Sequence, residues 1–340
     1  MLRRVIQPRW RIGIVENSLE GIVNGEELRV QWPSNPFHDR WFADPFVLSV
    51  DGDEVTLLVE DYRYAEGQGR ISRIIVDRKR GAIVSCKTIL RGGHYSFPAI
   101  LRENGKVYLY PEQSRQGKLE LYEYCPKTEA CEYVQTLSEE PLTDAIIYKG
   151  VIYSTRLPEP NGKALIMFKW PSAVQSSIAA SQRSSVFGDS KQLHCVQDAA
   201  SQGSSVLRTF KSPSDVQIAT SQRSSAFGGS MQLHCVQDAN VLNLELETLN
   251  QPKTYVFGEC IARNAGEFFE VDGVTYRPAQ ECNRWYGNAL SIQLYENGEF
   301  KEVRRIPRLH TLNSYQGVTV VDRKVFPFQW VYWLLRRSDR

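Results

Sequence analysis

One short pattern of apolar and polar positions recurs along this chain: a small or polar lead-in, an apolar strand, a turn that usually carries glycine, and a second strand. The first copy runs from Ala43 through Asp44-Pro45-Phe46-Val47-Leu48, turns at Asp51-Gly52 and returns as VTLLVED. The second is SFPAIL from Ser96, with its turn at Asn104-Gly105, then VYLYPEQ. The third leads with Thr143-Asp144-Ala145 and turns at Lys149-Gly150, and the fourth is RNAGEFF from Arg263 with its turn at Asp272-Gly273. A weaker fifth is SYQGVTVV from Ser314, for which a turn at Asp322-Arg323 is expected. β-Branched and aromatic residues on either side of Asn-Gly or Asp-Gly predict five β-hairpins, because those dipeptides accept the positive φ of a tight turn.

The turns lie 53, 45, 123 and 50 residues apart, and the one outlier has a visible cause. Residues 181–199 (SQRSSVFGDSKQLHCVQDA) and 221–239 (SQRSSAFGGSMQLHCVQDA) match at 16 of 19 positions. With 174–239 set aside as a Ser/Gln-rich duplicated insertion, the long gap falls to 57. Five units of about 50 residues suit four-stranded blades, so the expected fold is an all-β five-bladed propeller. Its blades span 10–173 and 240–325 of a single 1–340 domain, with the insertion between blades three and four. The insertion's composition does not offset the entropy of ordering, and it reads as mobile.

Composition changes this picture little. Forty-one basic residues against 39 acidic ones leave a net charge of +2, which supplies no field for nucleic acid. The seven cysteines are odd in number and include no CxxC, so free thiols in a reducing compartment are expected, without zinc. His194-Cys195 and His234-Cys235 are one duplicated dipeptide, not a metal site. No phosphate-binding loop, GxGxxG, HExxH or GxSxG is present, so no cofactor is expected. The charged N-terminus lacks an apolar stretch behind it, and no run approaches the roughly 18 apolar residues of a membrane span. A cytoplasmic protein is expected.

FADPF, from Phe42, resembles the Asp-Pro lead strand of five-bladed glycoside hydrolases of the arabinanase, invertase and levansucrase type. More closely, WFADPF, HYSFPAI, PEQS, RNAGEFF, YRPAQECNRWYG and HTLNSYQG together resemble the N-terminal domain of the glucosamine inositolphosphorylceramide transferase family. The resemblance covers residues 10–170 and 241–325; the duplicated segment departs from it. It implies a role in polysaccharide or glycoconjugate synthesis, with a sugar, sugar nucleotide or glycolipid as ligand. A transferase or formyltransferase partner is implied as well.

In a propeller the innermost strands begin near the axis, so the lead-in residues of all blades converge. The pattern therefore gathers Asp44, His94, Ser96, Asp144, Arg263, Asn264 and Gln316 around one funnel. By resemblance Asp44 is a general base and Asp144 tunes an acid. The acid's place falls on or beside Asn264, which donates no useful proton. Glu112 and Glu281 are the carboxyls a relocated acid would use. Arg263, Asn264, Arg277 and Gln280 suit anionic groups and hydroxyls. Trp41, Tyr95, Trp285 and Tyr286 read either as stacking faces for a sugar or as blade packing. His38 and His310 read as solvated or structural. The tail 326–340 is apolar and aromatic, then basic; it reads as a packed closing element or, over 326–337, as a contact with the inner face of a membrane. The expected function is a glycosidase-like carbohydrate-binding propeller; the alternatives are a glycoside hydrolase and a non-catalytic scaffold.

Overall fold

The computed structural model describes residues 9–170 and 252–326. Its strands form five four-stranded antiparallel sheets, the blades of a β-propeller. Blade one holds β3 (Arg40–Asp51), β4 (Glu54–Arg63), β5 (Gln68–Asp77) and β6 (Ala82–Leu90). Blade two holds β7 (Ile100–Glu103), β8 (Lys106–Leu109), β9 (Leu119–Cys125) and β10 (Ala130–Ser138). Blade three is β11 (Leu142–Tyr148), β12 (Val151–Arg156), β13 (Ala164–Lys169) and β14 (Lys253–Val256). Blade four is β15 (Phe269–Val271), β16 (Val274–Glu281), β17 (Ala289–Glu296) and β18 (Glu299–Pro307).

Blade five closes the ring from both ends of the described chain. Its order is β19 (Leu312–Tyr315), β20 (Val318–Val325), β1 (Arg9–Val15) and β2 (Val30–Gln31). Seven residue pairs, from Arg9↔Val325 to Val15↔Thr319, join the two ends. Full closure leaves no open edge between first and last blades. A short helix, α1 (Leu19–Val23), bridges β1 and β2, and the Ser18 hydroxyl caps it by accepting from Gly21 N–H.

The apolar strand residues fill the wedges between neighbouring blades. Ile12, Phe42, Val47, Leu57, Val59 and Val320 pack blades five and one together. Leu290, Ile292, Leu312 and Val321 do the same for blades four and five. Burying each such side chain contributes about 1.5–3 kcal/mol.

Four of the five expected hairpin turns stand where the sequence puts them, and the fifth does not. The β19–β20 turn is at Gln316-Gly317, with φ of 50° and 74°, while Asp322 lies inside β20. Gln316-Gly317 supplies the glycine that a positive-φ turn favours, and Asp322-Arg323 does not. The placement of the duplicated segment changes too. β14 pairs with β13 as the outer strand of blade three, so the 174–239 segment interrupts that blade instead of separating it from blade four. The segment itself and the tail beyond Phe326 lie outside the described residues. The five cysteines among the described residues are free thiols. No helix among those residues is long and apolar enough to cross a membrane.

Candidate functional site

Each blade's lead-in pairs with the end of its second strand. Ala43 faces Glu60, Ser96 faces Glu112 and Thr143 faces Thr155. In blades four and five, Gln280 N–H donates to Arg263 O and His310 N–H to Asp322 O. Bulges follow the lead-ins of blades one and three, and a bulge re-aims the next side chain. Asp44, Phe97 and Asp144 take the left-handed backbone there, with φ of 49°, 43° and 46°. Aspartate tolerates that region; for phenylalanine it is strained. Phe97 is held by its N–H donating to Asp44 Oδ2 at 3.2 Å and by edge-on packing against Phe46.

These residues surround a cavity of about 530 Å³ lined by all five blades. Its wall includes Asp44, Glu60, Ser96, Glu112, Thr143, Arg263, Tyr286 and His310. Two buried ionic groups form its floor. In the first, His310 Nδ1 lies 3.3 Å from Asp44 Oδ1 and 3.2 Å from Asp322 Oδ2. Asp322 also accepts from Thr311 N–H, Thr311 Oγ1–H and Asp44 N–H. Burial opposes charging His310, but Asp322 and Asp44 outweigh it and lift the imidazole to about 10. Asp322 feels the same contest and is held below its usual value, chiefly by His310, whereas burial leaves Asp44 raised. The three ligand-type atoms lie within 4.8 Å of one another. As an imidazolium, His310 supplies a positive charge to both carboxylates.

In the second group the cation is arginine. Arg263 Nε donates to Asp144 Oδ2 at 2.6 Å, one terminal nitrogen reaches Glu112 Oε2 at 3.1 Å, and the other reaches Asn161 at 3.0 Å. Its guanidinium lies over the Tyr286 ring, 4.8 Å from the centroid. Gln280 Nε2 donates to Asp144 Oδ2 at 2.6 Å, and Asn264 Nδ2 donates to the Asp144 and Tyr153 carbonyls. Burial nonetheless lifts the Asp144 carboxyl to about 7, against the pull of Arg263. Ser114 Oγ–H donates to Glu112 at 2.7 Å.

Glu60 stands between the two groups, and no hydrogen bond is recorded for its carboxyl among the described residues. Burial, then the charges of Asp44 and Glu112, push it well above the usual carboxylate range. Its seat depends on Gly69: a Cβ there would meet Glu60 Oε1 at 2.3 Å and the Tyr95 carbonyl at 2.5 Å. Trp41 stacks flat on Tyr62 at 4.6 Å along one wall. Trp10 packs against His310 and Tyr286 on another. His94 accepts from Gly69 N–H, and burial with the Arg115 charge lowers it to about 4, so it is neutral.

Of the residues singled out from sequence, the cavity wall contains Trp41, Asp44, His94, Ser96, Glu112, Arg263 and Tyr286, and Asp144 lies against it through Arg263. Asn264 and Gln280 are fully buried props behind Asp144. Arg277 does not line the cavity. It is 0% exposed inside blade four, bound to Asn264 Oδ1, Gln293 Oε1 and the Ile261 and Ala262 carbonyls, and burial lowers it to about 9. Glu281 also lies off the cavity, accepting from Asn283 N–H and Asn288. Gln316 sits in the β19–β20 turn, accepting from Val50 N–H. Trp285 is exposed at 57% and is not part of this cavity's wall.

Sequence reasoning passed over Trp10, Glu60, Tyr62, His310 and Asp322. Glu60 carried a readable signal, because it closes its blade's second strand as Glu112 does. His310 and Asp322 were hidden by the displaced fifth turn. No protein-family model matches the chain, and no curated protein resembles it in sequence. Solved structures of similar shape include the dihydro-heme d1 dehydrogenase NirN, at 9% identity and a TM-score of 0.31, covering 90% of this chain. The chain spans 56% of NirN's length. Another is the β-propeller domain of the Trilobed protease from Pyrococcus furiosus, at 8% identity and a TM-score of 0.30, covering 84% of this chain and 90% of that one.

Proposed function

We propose that the central cavity binds the sugar portion of a nucleotide sugar, glycolipid or glycan, in the synthesis of a polysaccharide or glycoconjugate. One observation carries this reading. Asp44 and Glu60 from blade one and Glu112 from blade two converge with Arg263 in a 530 Å³ cavity whose walls include Trp10, Trp41, Tyr62 and Tyr286. Carboxylates accept from neighbouring hydroxyls in pairs, and flat aromatic faces take the apolar faces of a sugar ring. The motif resemblance to glycosidase-like propellers points the same way. Transfer chemistry would then come from a partner carrying a transferase or formyltransferase activity.

A glycoside hydrolase is the second reading, and Glu60 is what favours it. Burial favours the protonated form of this carboxyl, and both it and Asp44 line the cavity, as a general acid and a base would. Glu112 is committed to Arg263 and Ser114 instead. Calorimetry against a glycan panel, with turnover assays on aryl glycosides, separates the readings. The first expects binding that Asp44→Asn abolishes with the fold intact, and no turnover. Turnover lost in both Asp44→Asn and Glu60→Gln would replace it with the second. No sugar binding and no turnover would leave a scaffold.

A further inference from the structure

A second cavity, of about 300 Å³, adjoins the funnel at the seam between blades five and one. Trp10 and Trp41 line both. The two differ in charge: the funnel wall mixes Asp44, Glu60 and Glu112 with Arg115, Arg263 and His310, whereas the second cavity is lined by Arg9, Arg11, His38 and Arg40 and by no carboxylate. Arg40 is neutralised by Asp39 at 2.9 Å and Asp61 at 3.1 Å. Arg9 and Arg11 are exposed, and no ion pair to either is recorded among the described residues. Arg11 makes one hydrogen bond, to the Trp32 carbonyl at 3.4 Å.

The strand pairing adds to the positive field. Arg11 stands directly opposite Arg323 across the β1–β20 ladder. Like charges in that relation destabilise a sheet. Burial, then the charges of Arg11 and Arg308, lower Arg323, and its Nε is buried without a hydrogen-bond partner. An anion beside Arg11 would offset this repulsion.

We infer that this basic cavity is an oxyanion subsite, and that the ligand is a sugar bearing a phosphate, with the ring in the funnel and the phosphate at Arg9 and Arg11. The inference rests on the sugar-binding reading for the ring's position. The charged side chains of the second cavity are all basic, whereas the funnel's cations face its own carboxylates, so a phosphate is favoured at the second cavity. A guanidinium presents a planar fork that matches phosphate oxygens, and the shared Trp10 and Trp41 line the passage between the two cavities.

Calorimetry on the full chain tests it, with glucose, galactose and mannose, the 1-phosphate of each, and inorganic phosphate as probes. For a sugar that binds, its 1-phosphate should bind at least roughly tenfold tighter at low salt, the worth of one charge-assisted hydrogen bond. Raising the salt should shrink that gain. Arg11→Gln should remove the gain and leave the free sugar's affinity unchanged; Arg9→Gln serves if that variant folds poorly. Equal affinity for sugar and sugar phosphate, or a gain that survives both variants, would overturn the subsite and spare the sugar reading. Binding of inorganic phosphate that Arg11→Gln abolishes, without any sugar binding, would keep the subsite and overturn the sugar reading. Binding of no probe would overturn both.

Discussion

The two ionic groups on the cavity floor are built from the same parts and behave differently. Each holds two buried carboxylates against one cation. On the blade-four side the cation is Arg263, which cannot lose its charge; the Gln280 amide donates to the Asp144 carboxylate and the Asn264 amide to the Asp144 main-chain carbonyl. On the blade-five side it is His310, which can lose its proton, and the geometry is looser. Asp44 Oδ1 and His310 Nε2 have no hydrogen-bond partner although both are buried. One group is a rigid brace across blades two, three and four. The other is a titratable contact in which Asp44 keeps spare acceptor capacity for a ligand. Charge count alone would not separate them; the neighbouring amides do.

The largest expected effect breaks the brace. Arg263→Ala leaves Asp144 and Glu112 facing each other without a cation, a loss of about 3–5 kcal/mol. Chemical denaturation at neutral pH should show it. A loss under about 1 kcal/mol would mean that the group is solvated, as exposed pairs are.

The pH dependence sharpens the contrast. His310 ionises near 6.5 when unfolded and about 10 when folded, so its contribution is complete below pH 6.5 and lost as pH rises through 10. Over that window stability should fall with a slope approaching about 1.4 kcal/mol per pH unit. His310→Gln should flatten this limb and leave the lower one. Asp144, lifted from 3.8 to about 7, makes a contribution that is full below pH 3.8 and lost as pH climbs through 7. Glu267 also titrates at about 7, so Asp144→Asn should remove only part of the lower limb. A stability profile unchanged by both variants would erase the distinction drawn between the groups.

The smallest effect concerns Glu60, which belongs to neither group. Because burial favours its neutral form, Glu60→Gln exchanges similar groups and should move stability at pH 7 by less than about 0.5 kcal/mol. A loss of about 2 kcal/mol or more would show an ionised Glu60 held by a partner.

Much of the fold was legible because hairpins are local. At the Asn104-Gly105, Lys149-Gly150 and Asp272-Gly273 turns, both residues have positive φ, and adjacent residues suffice to specify such a turn. The site was most legible where its residues lie at a lead-in, as Asp44, Ser96 and Arg263 do. Arg277 shows the limit. A charged residue in a strand reads as functional, yet this one is wholly enclosed by carbonyls, amides and the rings of Phe257 and Phe300. Its partners come from four separate places in the chain, and no spacing announces them.

The amino-acid order by itself determined that this chain makes repeated two-stranded units with apolar faces, enough of them to close a ring. That follows from dihedral preferences and from an alternation of period two, both properties of neighbouring residues. Tertiary structure alone decided that His310 comes to lie beside Asp44 and Asp322, that burial raises the Glu60 carboxyl, and that Arg277 is sealed away. Those outcomes depend on burial and on charges brought together from residues up to 278 apart, as Asp44 and Asp322 are. Desolvation and Coulomb energy act through space, so only the closed ring sets them.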